Sequence, residues 1–178
     1  MKRAVRIAGA LAVSALLGLA GCSADRPAPA ALQPVEAKIA GRQVWNQKLD
    51  GVSFPLAVAV RAGRFYLASD DGTVLALEAA TGREIWRGQV GTKLSAGVGS
   101  DGRFAAVATK SNELVVLDGG NPTWRAKLDA AVVTAPLVAG ERVFVVGVDR
   151  VVHAFDVLDG RRLWTLKRPG DSLTLSQA

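Results

Sequence analysis

From Phe54 onward the apolar residues come in short runs separated by turns. "FPLAVAV" (Phe54 to Val60), "RFYLAS" (Arg64 to Ser69), "TVLALEA" (Thr73 to Ala79) and "IWRGQV" (Ile85 to Val90) predict four strands. "DDG" at Asp70 to Gly72 and "TGRE" at Thr81 to Glu84 break them. Asp-Gly suits a tight hairpin turn, and glycine suits a turn that needs positive φ. "VLAL" from Val74 and "LVVL" from Leu114 are apolar at consecutive positions rather than alternating. A strand covered on both faces reads that way. No segment of 41–178 carries sustained helical periodicity with caps, so the chain reads as all-β.

The pattern repeats. Trp45, Trp86, Trp124 and Trp164 lie 41, 38 and 40 residues apart. "GRFYLAS", "GRFAAVAT" and "ERVFVVG" place Arg64, Arg103 and Arg142 at intervals of 39 and 39. "VLAL", "LVVL" and "VHAF" keep the same step. A period near 40 built of short strands predicts propeller blades. Three full copies are present, over Phe54–Val90, Leu94–Leu128 and Val132–Lys167, each of four strands. "RQVWNQKL" (Arg42 to Leu49) stands ahead of them as a lone tryptophan strand. Three blades and a strand do not close a ring, since closed propellers take about four to eight. The expectation is therefore a partial β-propeller, the N-terminal part of a longer protein with about eight blades. The middle copy, "LDGGNPTW", is two residues shorter before its tryptophan and carries Pro122. Proline is tolerated on edge strands, which predicts that the tryptophan strand is the outer one.

Residues 1–40 belong to a different pattern. "MKRAVR" is a basic start, and Ile7 to Ala20 is an apolar run of 14 residues. That is short of the roughly 20 needed to span a bilayer as a helix. It reads as an export signal over 1–21, set apart from the fold. "LAGC" (Leu19 to Cys22) resembles the bacterial lipobox. That resemblance implies cleavage before Cys22, acylation of its thiol and then of its new amino group. More than one acyl chain is what stable anchoring requires. Ser23 rather than Asp after the cysteine implies outer-membrane sorting, facing the periplasm. Residues 22–40, rich in proline and alanine, read as an anchored tether, and 41–178 as the propeller.

Composition removes several functions. Cys22 is the single cysteine, which excludes an internal disulfide and a multi-cysteine zinc site. The net charge is +6, but Lys2, Arg3 and Arg6 supply half of it. No arginine-rich tract or aromatic stacking pattern argues for nucleic acid. His153, the single histidine, stands where the other copies have Leu75 and Val115. It reads as a residue packed between blades or bonded to a carbonyl. No cofactor, metal or catalytic set is expected.

"LEAATGREIW" (Leu77 to Trp86) and "FDVLDGRRLW" (Phe155 to Trp164) resemble the pyrroloquinoline-quinone-type propeller repeat. There an acidic residue (Glu78, Asp156) and a turn glycine (Gly82, Gly160) precede a tryptophan that docks between blades. With the lipobox and tether, the chain resembles the BamB family, lipoproteins of the β-barrel assembly (BAM) machinery of the outer membrane. The resemblance implies a non-enzymatic scaffold that assists outer-membrane protein insertion, with BamA, other BAM components and unfolded barrel proteins as partners. It also implies that Ser172, Leu173, Thr174 and Leu175 match a stretch that docks to the BamA POTRA domains, with Leu173 and Leu175 as its apolar contacts. Ser176 stands where the family often has arginine, which removes a charged donor. The residues alone also allow Leu173 and Leu175 to begin the next blade's inner strand. Two other classes share the repeat or the anchor: a quinone-dependent dehydrogenase and a lipoprotein that binds another periplasmic ligand.

Overall fold

The computed structural model describes residues 29–31 and 41–169. Among these no helix occurs, and the strands form three separate four-stranded antiparallel sheets. The first blade holds β1 (Ala59–Arg61), β2 (Arg64–Ala68), β3 (Thr73–Glu78) and β4 (Glu84–Gln89), paired in that order. The second holds β5 (Leu94–Ser100), β6 (Phe104–Thr109), β7 (Glu113–Asp118) and β8 (Asn121–Lys127). The third holds β9 (Leu137–Ala139), β10 (Arg142–Val146), β11 (Val151–Asp156) and β12 (Arg162–Lys167). Each sheet is a simple meander, and the tryptophan strands β4, β8 and β12 are its edges. This is the partial all-β propeller that the spacing implies.

The consecutive apolar runs have a direct explanation. Leu114, Val115, Val116 and Leu117 of β7 are all fully buried. Val115 and Leu117 join a cluster with Tyr66, Val74 and Ala76 of blade 1. Leu114 and Val116 join another with Val143, Val145 and Phe155 of blade 3. Alternate side chains of one strand thus fill two cores, one on each face. The stacking of blades, not any single sheet, buries the apolar surface.

Two expectations need correction. The strand expected over Phe54–Val60 is only Ala59–Arg61, and β9 is as short. Pro55 and Pro136 precede these strands and bring no N–H to a ladder. Phe54 instead turns into the core between blades 1 and 2. The lone strand expected over Arg42–Leu49 forms no ladder. Its tryptophan side chain ties it to blade 1 instead.

The short middle turn also resolves. Gly119 and Gly120 form a two-residue hairpin with φ of 58° and 90°. Positive φ at both central positions is the type I′ requirement, which glycine meets without strain. Pro122 then lies on the edge strand β8, opposite Leu117.

Candidate functional site: the tryptophan seams and blade faces

In blades 1 and 3 the five-residue turn before the tryptophan strand is closed by backbone bonds. Gly82 N donates to Glu78 O at 2.8 Å, and Glu78 N donates to Arg83 O at 2.9 Å. In blade 3, Gly160 N donates to Asp156 O at 3.1 Å and Asp156 N donates to Arg161 O at 2.9 Å. Gly82 and Gly160 have φ of 72° and 73°. The acidic side chains tie the same turns. Glu78 accepts from Thr81 Oγ1 at 2.5 Å, which with Arg83 holds its carboxyl below the usual range. Asp156 Oδ1 accepts from Leu158 N at 2.9 Å.

Each turn glycine meets a tryptophan from the preceding repeat. A Cβ on Gly82 would lie 2.6 Å from a Trp45 ring carbon, and one on Gly160 would lie 2.6 Å from Trp124. Trp45 Nε1 donates to Ala79 O at 2.9 Å, and Trp124 Nε1 donates to Val157 O at 2.8 Å. Trp86 sits over Gly120, with its nearest ring carbon 3.0 Å from the ideal Cβ position. The shortened Gly119–Gly120 turn gives its Nε1 no corresponding acceptor among the described residues. Residue spacing places a tryptophan and a glycine in every repeat. It does not say that the glycine serves the tryptophan about 35 residues earlier.

Trp164 repeats the pattern without a described turn to receive it. Its ring is 44% exposed, 5.9 Å from Phe144. The face around it is apolar and open: Leu137 is 54%, Val146 42% and Leu166 57% exposed. At the opposite side of the three blades, Trp45, Gln47, Val58, Phe65 and Leu67 line an open cleft on blade 1. Both are sheet faces that, in blade 2, lie covered.

A second set of ties was not legible in the sequence. Asp70 N donates to Gly51 O at 2.7 Å, Lys110 N to Lys93 O at 2.8 Å and Val148 N to Ala131 O at 2.9 Å. In every blade the turn after the second strand thus bonds the segment that enters that blade. In blade 1 the tie is doubled, because Ser53 N donates to Asp70 Oδ1 at 2.7 Å. The bonds from Ser53 hold the Asp70 carboxyl below the usual range. Ser69 Oγ and Thr73 N do the same for Asp71, at 2.6 and 2.9 Å.

Cys22, Leu173 and Leu175 lie outside the described residues. Among the described residues no group of three or more His, Cys, Asp or Glu is placed to hold a metal, and no helix is long and apolar enough to cross a membrane. His153 is buried in the seam between blades 2 and 3.

The class defined by these sheets and docked tryptophans is a tryptophan-sealed β-propeller. A family model described as outer membrane protein assembly factor BamB matches residues 33–93 and 70–178, and the chain belongs to that family. It is 36% identical over 177 residues to outer membrane protein assembly factor BamB of Bordetella pertussis, covering 96% of this chain and 46% of that protein. It is 32% identical over 167 residues to the BamB of Burkholderia pseudomallei, covering 91% and 44%. The chain spans about half the length of the curated relatives it matches. Among solved structures, BamB from Moraxella catarrhalis superposes with a TM-score of 0.60 at 23% identity, over 72% of this chain and 38% of that one. A quinohemoprotein alcohol dehydrogenase from Pseudomonas putida HK5 superposes at 0.52 and 23% identity, over 67% and 21%. These two likenesses show the propeller fold alone.

Proposed function

We propose that this chain is the N-terminal part of a lipid-anchored scaffold of the BAM machinery, one that assists insertion of β-barrel proteins into the outer membrane. The observation that carries the reading is the family match over 33–178, with a BamB relative 36% identical across nearly the whole chain. In this reading residues 1–21 are an export signal and Cys22 carries the acyl chains. Residues 22–40 tether the propeller on the periplasmic side of the outer membrane. The protein catalyses no reaction and needs no cofactor. A propeller does not declare its function by its fold, so the sharing of that fold with alcohol dehydrogenases adds no enzymatic reading.

The docking contact is assigned to Ser172–Leu175, with Leu173 and Leu175 reaching the POTRA domains of BamA. Other surface of the propeller is left to contact further BAM components or unfolded barrel strands. The test is capture of BamA by full-length protein carrying Leu173→Ala with Leu175→Ala. Loss of capture with unchanged thermal unfolding supports the assignment. Retained capture, or a lowered unfolding temperature with capture intact, means the leucines pack within the propeller and refutes it.

A further inference from the structure

Between blades 2 and 3 one polar side chain breaks an apolar seam. His153 on β11 pairs across strands with Val145 and Thr165. Cross-strand partners share a face, and Val145, Val143 and Phe155 on that face belong to the core between blades 2 and 3. His153 is 3% exposed, and its ring lies 6.2 Å from that of Phe155. Its Nδ1 is buried with no hydrogen-bond partner. The corresponding residues, Leu75 and Val115, are aliphatic and as deeply buried. The seam between blades 1 and 2 is built without a buried histidine.

We propose that the seam between blades 2 and 3 is an acid-responsive joint, closed when His153 is neutral and loosened when it takes a proton. A buried imidazolium would need a partner for Nδ1–H, and none is in reach. Blade 2 offers Ala106, Ala108, Leu114 and Val116, none of them titratable. On β12, Arg162 adds a like charge. Its guanidinium lies over Phe155 and also bonds the carbonyl of Lys127 at 3.3 Å. Two carboxylates favour the proton, Asp149 on the turn between β10 and β11 and Asp129 on the linker between blades. Both are already used: Asp129 pairs with Arg162 at 3.8 Å and Asp149 Oδ1 accepts from Val151 N at 3.2 Å. Burial first, and Arg162 second, hold His153 below the ordinary histidine range.

The sign follows from linkage. The unfolded or opened chain takes its proton near the free value of about 6.5, while the closed seam resists it. The seam is therefore fully stable above about pH 6.5 and weakens as pH falls through that value. Hydrogen exchange of the full chain from about pH 5 to 7.5, corrected for intrinsic rates, reads the opening. Protection of β7 and β11 amides falls by up to about tenfold per pH unit in the wild type. His153→Leu, which restores the residue type of the other blades, removes that fall, and so does His153→Gln, which stays polar but does not titrate. Amides of β2, whose seam lacks a histidine, serve as the internal reference and stay level. The proposal is overturned if the wild type shows no fall, or if either folded variant keeps the wild-type pH dependence.

Discussion

Substituting Gly160 by alanine tests whether tryptophan docking holds the blades together. The new methyl would sit 2.6 Å from two ring carbons of Trp124, well inside contact distance. A rigid indole cannot bend away, so Trp124 must leave the turn and give up its 2.8 Å bond to Val157 O. Losing that bond costs about 0.5–1.5 kcal/mol. The alanine also adopts φ of 73°, a left-handed conformation costing about 1–2 kcal/mol for a residue with a Cβ. The sum is about 1.5–3.5 kcal/mol, before any loss of ring burial against Phe155. Gly140→Ala separates the two parts. Gly140 has φ of 58° but open space around its Cβ position, so only the backbone cost applies. Equilibrium urea unfolding of the full chain, followed by tryptophan emission, measures both variants. Gly160→Ala is expected to lose about 1 kcal/mol or more beyond Gly140→Ala, with native emission shifted to the red. Equal losses in the two variants would refute the docking argument.

The remaining predictions follow from the same geometry. Trp124→Phe costs more stability than Trp86→Phe in parallel urea titrations, because Trp124 alone of this pair has a carbonyl acceptor for its Nε1. Gly99→Ala drives a Cβ to within 1.8 Å of Pro136 O, backbone against backbone, and is expected to leave little soluble folded protein by size-exclusion yield. The lowered carboxyls of Asp70 and Asp71 contribute stability that is present above about pH 3.9 and lost as pH falls below it; Asp70→Asn, compared with wild type across acid unfolding, flattens part of that loss. Palmitate labelling of cells is expected to disappear in Cys22→Ala, and unchanged labelling would remove the anchor from the account.

Much of the architecture was readable from residue spacing, because a stacked repeat must return the same residue types at the same step. Consecutive apolar positions in "LVVL" read as burial on both faces, and β7 does feed Leu114 and Val116 to one core and Val115 and Leu117 to the other. Pro122 marked its strand as an edge for the same physical reason that it lacks an N–H. What escaped were features set by neighbours rather than by local pattern. The inner strands look long in "FPLAVAV", yet the fold sends Phe54 into the core and leaves only Ala59–Arg61 paired. Trp45 marks a strand by its flanks, yet without a described ladder partner it works as a side-chain latch on Gly82. The tie from Gly51 to Asp70 is backbone to backbone and leaves no trace in residue type beyond the aspartate. Leu173 and Leu175 stand out by likeness to the family, whereas the open face that holds Trp164 and Leu166 is visible only in three dimensions.

Membership of the assembly machinery is tested by affinity purification of the full-length protein from detergent-extracted outer membranes, with bound proteins identified by mass spectrometry. BamA and other components of the assembly machinery are expected in stoichiometric amounts, and are expected to be lost when the protein is made without Cys22 and stays off the membrane. Recovery of the propeller from the membrane without BamA would contradict it.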